Sequence, residues 1–159
     1  METTTPRLLI DADACPVREE ALRVALRLGL ETLLVTNGSR PVRPPPSPLV
    51  RLVVVAAGAD VADDRIVEEA RAGDICITAD IPLAARCLAK GAAALSFKGH
   101  PWTEDNIGGA LAGRELSRAL REAGAITGGP APMAAADRAR FLNALDRMAQ
   151  AALRRARGG

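Results

Sequence analysis

Short, wholly apolar runs recur along this chain, each separated from the next by a longer segment of helical pattern. "RLLI" (7–10), "ETLLVT" (31–36), "LVRLVVVA" (49–56), "DICITA" (74–79) and "AALSF" (93–97) read as strands. Between them, "VREEALRVALRLG" carries apolar residues at three- and four-residue steps and stops at Gly29, with Pro16 suited to its first turn. "DVADDRIVEEARAG" and "IPLAARCLAKG" read as helices in the same way. Strands joined by helical crossovers pair in parallel, and strands apolar on both faces are covered on both faces. The alternation therefore predicts an α/β domain with a central, mostly parallel sheet of about five strands in three α/β/α layers.

Two further helices are expected near 104–123 and 135–157, a helical C-terminal extension of about 104–157 within one domain spanning 1–159. A Pro-rich stretch, "NGSRPVRPPPSP", is longer than a usual connection and is a candidate functional loop. With one Trp, two Phe and no Tyr, the core must be built from Leu, Val, Ile and Ala.

A formal charge of +2 is too small to announce a nucleic-acid binder. Three cysteines without CxxC spacing argue against a disulfide framework or thiolate zinc site and suit a reducing cytosol. No apolar run approaches a membrane span and "METTTPR" has no signal core, so a soluble cytoplasmic protein without membrane contact is expected. Oligomeric state is not encoded in any recognisable pattern.

In open parallel sheets, ligands sit outside the carboxyl ends of the strands. Asp11 and Asp13 lie at the end of the first strand and Asn37 follows the second. Asp60, Asp63 and Asp64 come after the third, and Asp80 follows the fourth. Two carboxylates about 4 Å apart repel by roughly 4 kcal/mol at an effective dielectric of 20, so such a set calls for a counter-charge. Oxygen-only ligation favours Mg²⁺ or Mn²⁺ over zinc, and such an ion can polarise a phosphodiester and activate water. Taken singly, Asp13, Asp60 and Asp80 also stand where helix caps are common. As a set they point to a metal site.

"DADACPV", "GADVADDRIVE", "GDICITADIPLAARCLAKGA" and "TGGPAPM…DRARFLNALD" resemble successive signature blocks of the YaiI/YqxD family. The resemblance runs from about residue 8 to 147. This bacterial family has no assigned activity, and its domain is similar to PIN-like nucleases. The resemblance implies Mg²⁺- or Mn²⁺-dependent cleavage of nucleic acid, with RNA the expected substrate. It carries Asp11 or Asp13 over as the acid after the first strand, Asp60 or Asp64 as the acid on the helix before the fourth strand, and Asp80 as the acid closing that strand. Catalysis is thus expected from Asp11, Asp13, Asp60, Asp64 and Asp80, with metal ligation by Asp11, Asp13, Asp64 and Asp80. Thr78, two residues before Asp80, fits a polar neighbour bonding ligand or water. Trp102 stands where Tyr is usual in "GHPWTEDNI", and "PMAAADR" replaces a more usual Phe-Ser.

"KGHPWTEDN" groups Lys98, His100, Trp102 and Asn106 as a substrate-binding loop might, with Asn37 and Thr78 as further contacts. The plainer expectation is that Trp102 packs down and Thr103 caps the following helix. "TGGPAP" offers backbone N–H groups to a phosphate or forms a rigid turn. Cys15, at a helix start beside acids, is expected to pack or cap, and Cys76 and Cys87 to lie in the core.

Two alternatives stay open. One is a non-catalytic module that binds metal and nucleic acid. The other is a haloacid-dehalogenase-type phosphatase, which "LLIDADAC", "LLVTNGS" and "GDICITAD" echo. Against it, no lysine precedes Lys90, so Arg40 or Arg65 would have to stand in. Asp74 and Asp80 are also widely spaced for its closing motif, and the immediate helix leaves no room for its flap.

Overall fold

The computed structural model describes residues 5–124 and 132–158. Strands β1 (Leu8–Asp11), β2 (Thr32–Thr36), β3 (Val50–Val54), β4 (Ile75–Ile77) and β5 (Ala93–Leu95) form a parallel sheet. A short β6 (Pro101–Trp102) adds an antiparallel edge that the apolar runs did not announce. The strand order is β3-β2-β1-β4-β5-β6. Helices α1 (Arg18–Leu28) and α5 (Ala135–Gly158) cover one face, while α2 (Val61–Glu69) and α3 (Ile81–Ala89) cover the other. The result is a three-layer α/β/α arrangement.

One core packs Leu8, Ile10, Leu34, Ile75, Ile77 and Leu95 against Val24 and Ala25 of α1 and Phe141, Leu145 and Ala149 of α5. The other packs Leu9, Leu33, Val35, Val53 and Cys76 against Ile66, Leu83 and Cys87. Alternate residues of one strand thus enter opposite cores, which is why β1 and β2 are apolar throughout. The α5 helix is part of the central fold, whereas α4 (Glu104–Glu122) lies against α3 and buries no residue. No helix among the described residues is long and apolar enough to cross a membrane.

The first helix starts later than Pro16 suggests. Ala12–Ala14 form a single 3-10 turn, Val17 is the N-cap and α1 opens at Arg18. Gly29 closes it in the left-handed region at φ 71°, its N–H returning to the Ala25 and Leu26 carbonyls.

Residues 96–100 make a tight hairpin. Ser96 N–H donates to the His100 carbonyl at 3.0 Å and His100 N–H to Ser96 Oγ at 3.0 Å. Gly99 sits at φ 85° directly on the α5 backbone, where an added Cβ would meet Arg140 and Phe141 main-chain atoms at 2.6 Å. Arg140 also donates to the Lys98 carbonyl at 3.2 Å. Gly99→Ala must therefore pay for a left-handed backbone and displace a helix. A loss of about 2–5 kcal/mol in urea unfolding is expected.

Candidate functional site

The strand order reverses between β1 and β4: from β1 the chain steps outward to β2 and β3, then returns to β4 on the other side. In open α/β sheets such a switch point leaves a crevice at the strand carboxyl ends. Asp11 ends β1 there, and Thr78 and Asp80 follow β4.

Thr78 is fully buried, and its hydroxyl links two acids. It donates to Asp11 Oδ2 at 3.0 Å and accepts the Asp80 backbone N–H at 2.9 Å. Asp80 caps α3, its Oδ1 accepting the Leu83 N–H at 2.9 Å, with Pro82 in the first turn. The positive helix end offsets its charge. Asp80 thus does what the capping expectation says and still stands at the crevice. Asp13 caps nothing. Its carboxylate reaches across to β2, accepting the Thr36 hydroxyl and the Asn37 N–H at 3.0 Å. Asn37 accordingly contributes its backbone here, while its side chain accepts the Ser39 N–H.

From α2, the acid that turns inward is Asp63. Burial and the neighbouring charges of Asp80, Asp11 and Asp60 push its carboxyl up to about 6. Asp11 is raised for related reasons, burial first and then Asp13 and Asp80, with the Thr78 hydrogen bond opposing. Asp64 is not brought in: its side chain is 59% exposed and pairs with Arg86 at 2.9 Å. Asp60 is exposed at the N-cap of α2 with φ 65° and makes no capping bond, so its charge reaches the cluster only through Asp63. Asp63 was legible in the helix: it stands three residues before buried Ile66 and four before core-packed Val67.

The raised proton affinity of Asp63 has a sign. An unfolded aspartate titrates near about 3.9. The folded chain therefore holds the extra proton between about 4 and about 6, and stability falls as pH rises through that window. Asp63→Asn removes this loss. The variant is expected to melt above the parent at pH 7, with the gap closing at pH 4.

The donors suit a hard divalent cation in chemistry, since all are carboxylate oxygens. In position they are not ready: among the described residues, no three His, Cys, Asp or Glu side chains stand where they could hold a metal ion together. Asp13 and Asp80 are each committed to backbone N–H groups. A cavity of about 420 Å³ beside Asp13 is bordered by Arg18 and by Arg40 of the Pro-rich loop, setting two cations around the space that Asp13 borders. Neither arginine stood out for this role in the sequence.

The remaining expected contacts divide. Asn106 completes a capping box with Thr103 at the start of α4, accepting the Thr103 N–H at 2.8 Å and donating to the Pro101 carbonyl at 3.0 Å. It serves the fold. Trp102 is half-buried in β6 and, with Lys98 and His100, lines a second cavity close to Asp13 and Asp80. Residues 127–131 of "TGGPAP" lie outside the described residues. Burial pushes the Cys15 thiol up to about 12, which removes it as a nucleophile. Cys76 and Cys87 pack in the α2–α3 core.

The profile of the family described as "Uncharacterized BCR, YaiI/YqxD family" matches residues 9–151. The chain belongs to the YaiI/YqxD family. It is similar to a UPF0178 protein of Rhodospirillum rubrum, 56% identical over 147 residues that cover 92% of this chain and 97% of the relative. A UPF0178 protein of Paramagnetospirillum magneticum is 52% identical over 148 residues, 93% of this chain and 97% of the relative. One of Caulobacter vibrioides is 49% identical over 149 residues, 94% and 96% respectively. No solved structure matches. The YaiI/YqxD match takes in every acid of the crevice, from Asp11 to Asp80, together with the hairpin and most of α5.

Proposed function

We propose that this YaiI/YqxD protein is a cytoplasmic nuclease that hydrolyses phosphodiester bonds, with RNA as its substrate and Mg²⁺ or Mn²⁺ as its cofactor. The observation that carries the reading is the gathering of acids at the β1–β4 switch point, where ligands of parallel sheets bind and where the Asp80 charge presses on both Asp11 and Asp63. Protons held above the ordinary carboxylate range mark groups short of a counter-charge. The resemblance to PIN-like nucleases points the same way, as do Arg18 and Arg40 around the cavity at Asp13, which suit a polyanion.

Asp11, Asp63 and Asp80 would have to draw closer together to hold the ion, whose chemistry is to polarise a phosphoryl oxygen and lower the pKa of a bound water. The chain's own part is orientation. Thr78 fixes Asp11, the α3 N-terminus fixes Asp80, and the β2 end holds Asp13 so that its charge presses on Asp11.

The test is cleavage of a labelled RNA and DNA pool with Mn²⁺ by the parent, Asp80→Asn and Asp64→Asn. Cutting by the parent and Asp64→Asn, the latter within about threefold because an exposed ion pair contributes little, with none by Asp80→Asn, supports the site. Binding of Mn²⁺ and RNA without cutting would make the chain a non-catalytic module. Turnover of a small phosphate ester would return the phosphatase reading.

A further inference from the structure

A cavity of about 500 Å³ opens beside the acid edge, and its walls are chemically unlike the acids. Ala14, Pro16, Ala79, Phe97, Trp102 and Met133 give it an apolar lining. It adjoins the crevice, since its lining residues Ala14 and Ala79 are the chain neighbours of Asp13 and Asp80. Lys98 and His100 border the same space, the first supplying a positive charge and the second an imidazole. The far wall is the 96–102 hairpin, seated on α5 through Gly99 and the Arg140–Lys98 hydrogen bond, so the cavity is preformed.

Phosphodiester chemistry makes no use of an apolar chamber. The rest of a nucleotide does: a base is a flat ring with two apolar faces, and aromatic side chains bind such faces whatever the sequence. The volume lies within the roughly 300–1,000 Å³ of small-ligand sites. A base stacked in a duplex cannot enter a pocket without being unpaired and swung out, which costs a few kcal/mol.

From this juxtaposition we infer that the cavity takes one unpaired nucleobase flanking the phosphodiester at the acid edge, with Lys98 and His100 facing the adjoining phosphate. Selectivity for single-stranded or looped nucleic acid follows. The inference rests on the acid edge being a phosphodiester site.

Trp102 is the only tryptophan, so its emission reports on this cavity alone. Asp80→Asn protein with Mn²⁺ is titrated with a single strand of about eight nucleotides and with a duplex of the same composition, each labelled for anisotropy. The single strand is expected to change the emission saturably and to bind at least about tenfold more tightly than the duplex. Ala79→Leu, at an exposed position, fills the cavity without burying strain; it should weaken single-strand binding about tenfold or more with the melting temperature unchanged. Binding seen by anisotropy without an emission change overturns the inference. So does equal affinity for duplex, normal affinity of Ala79→Leu, or no binding at all. Cleavage by the parent alongside a silent Trp102 would leave the nuclease reading standing and remove the base pocket. An emission change without any cleavage would do the reverse.

Discussion

Asp11→Asn is expected to reduce nucleic-acid cleavage at least about a hundredfold while leaving the protein folded. Even residues that only support a metal ligand typically cost 10- to 100-fold on replacement, so removing a charge at the centre of the cluster should reach the upper end or beyond. The fold should survive because asparagine keeps an oxygen to accept the Thr78 hydroxyl. It should also gain: Asp11 is held above the ordinary carboxylate range by burial and by Asp13 and Asp80, so its charge opposes folding at neutral pH. Lost cutting with an equal or higher melting temperature is the expected pair of results. Lost cutting with a lower one would assign Asp11 to the scaffold.

The largest loss of stability is expected at the opposite end of the sheet. Arg7 precedes β1 and Asp74 precedes β4, and both are buried. Asp74 Oδ2 accepts from the Arg7 guanidinium at 2.9 Å and from the Arg71 N–H at 3.0 Å, while Oδ1 accepts the Arg7 N–H at 3.1 Å. Asp74→Ala takes the nearest acid from a buried guanidinium, leaving it the Glu69 carbonyl and the Glu69 carboxylate at 3.7 Å, and strands two backbone donors at once. Breaking such a pair from one side costs about 3–5 kcal/mol. For a chain of this length the melting temperature should fall by roughly 6–20 °C. Asp74→Asn keeps an acceptor and should lose less, about 1–3 kcal/mol. Cleavage per folded molecule should be unaltered in both, because the pair lies a strand's length from the crevice.

The layered fold was legible because Leu8–Ile10 and Leu33–Val35 are buried on both faces, and only a covered parallel sheet asks that of consecutive residues. The sixth strand was not, because two residues paired through a hairpin carry no periodicity. Asp11, Asp13 and Asp80 could be placed at strand ends from the apolar runs alone. Which acid of α2 turns inward required the helical phase set by Ile66, and Asp63 rather than Asp64 shares that face. That Asp13 is tied to β2 depends on strand order, as do the contacts of Arg40 near it, and no local pattern encodes the order in which parallel strands lie.

The two rims of the sheet are electrostatic opposites. At the rim where the strands begin, Arg7 and Asp74 close their charges on each other; at the rim where they end, Asp11 and Asp63 repel their neighbours. Opening the second rim relieves repulsion, whereas opening the first exposes a broken pair. The sheet should therefore breathe from its carboxyl edge, with amide exchange after Asp11 and Thr78 outpacing that at Leu8 and Ile75. A cation bound among the acids would stiffen the edge at which the proposed substrate would enter.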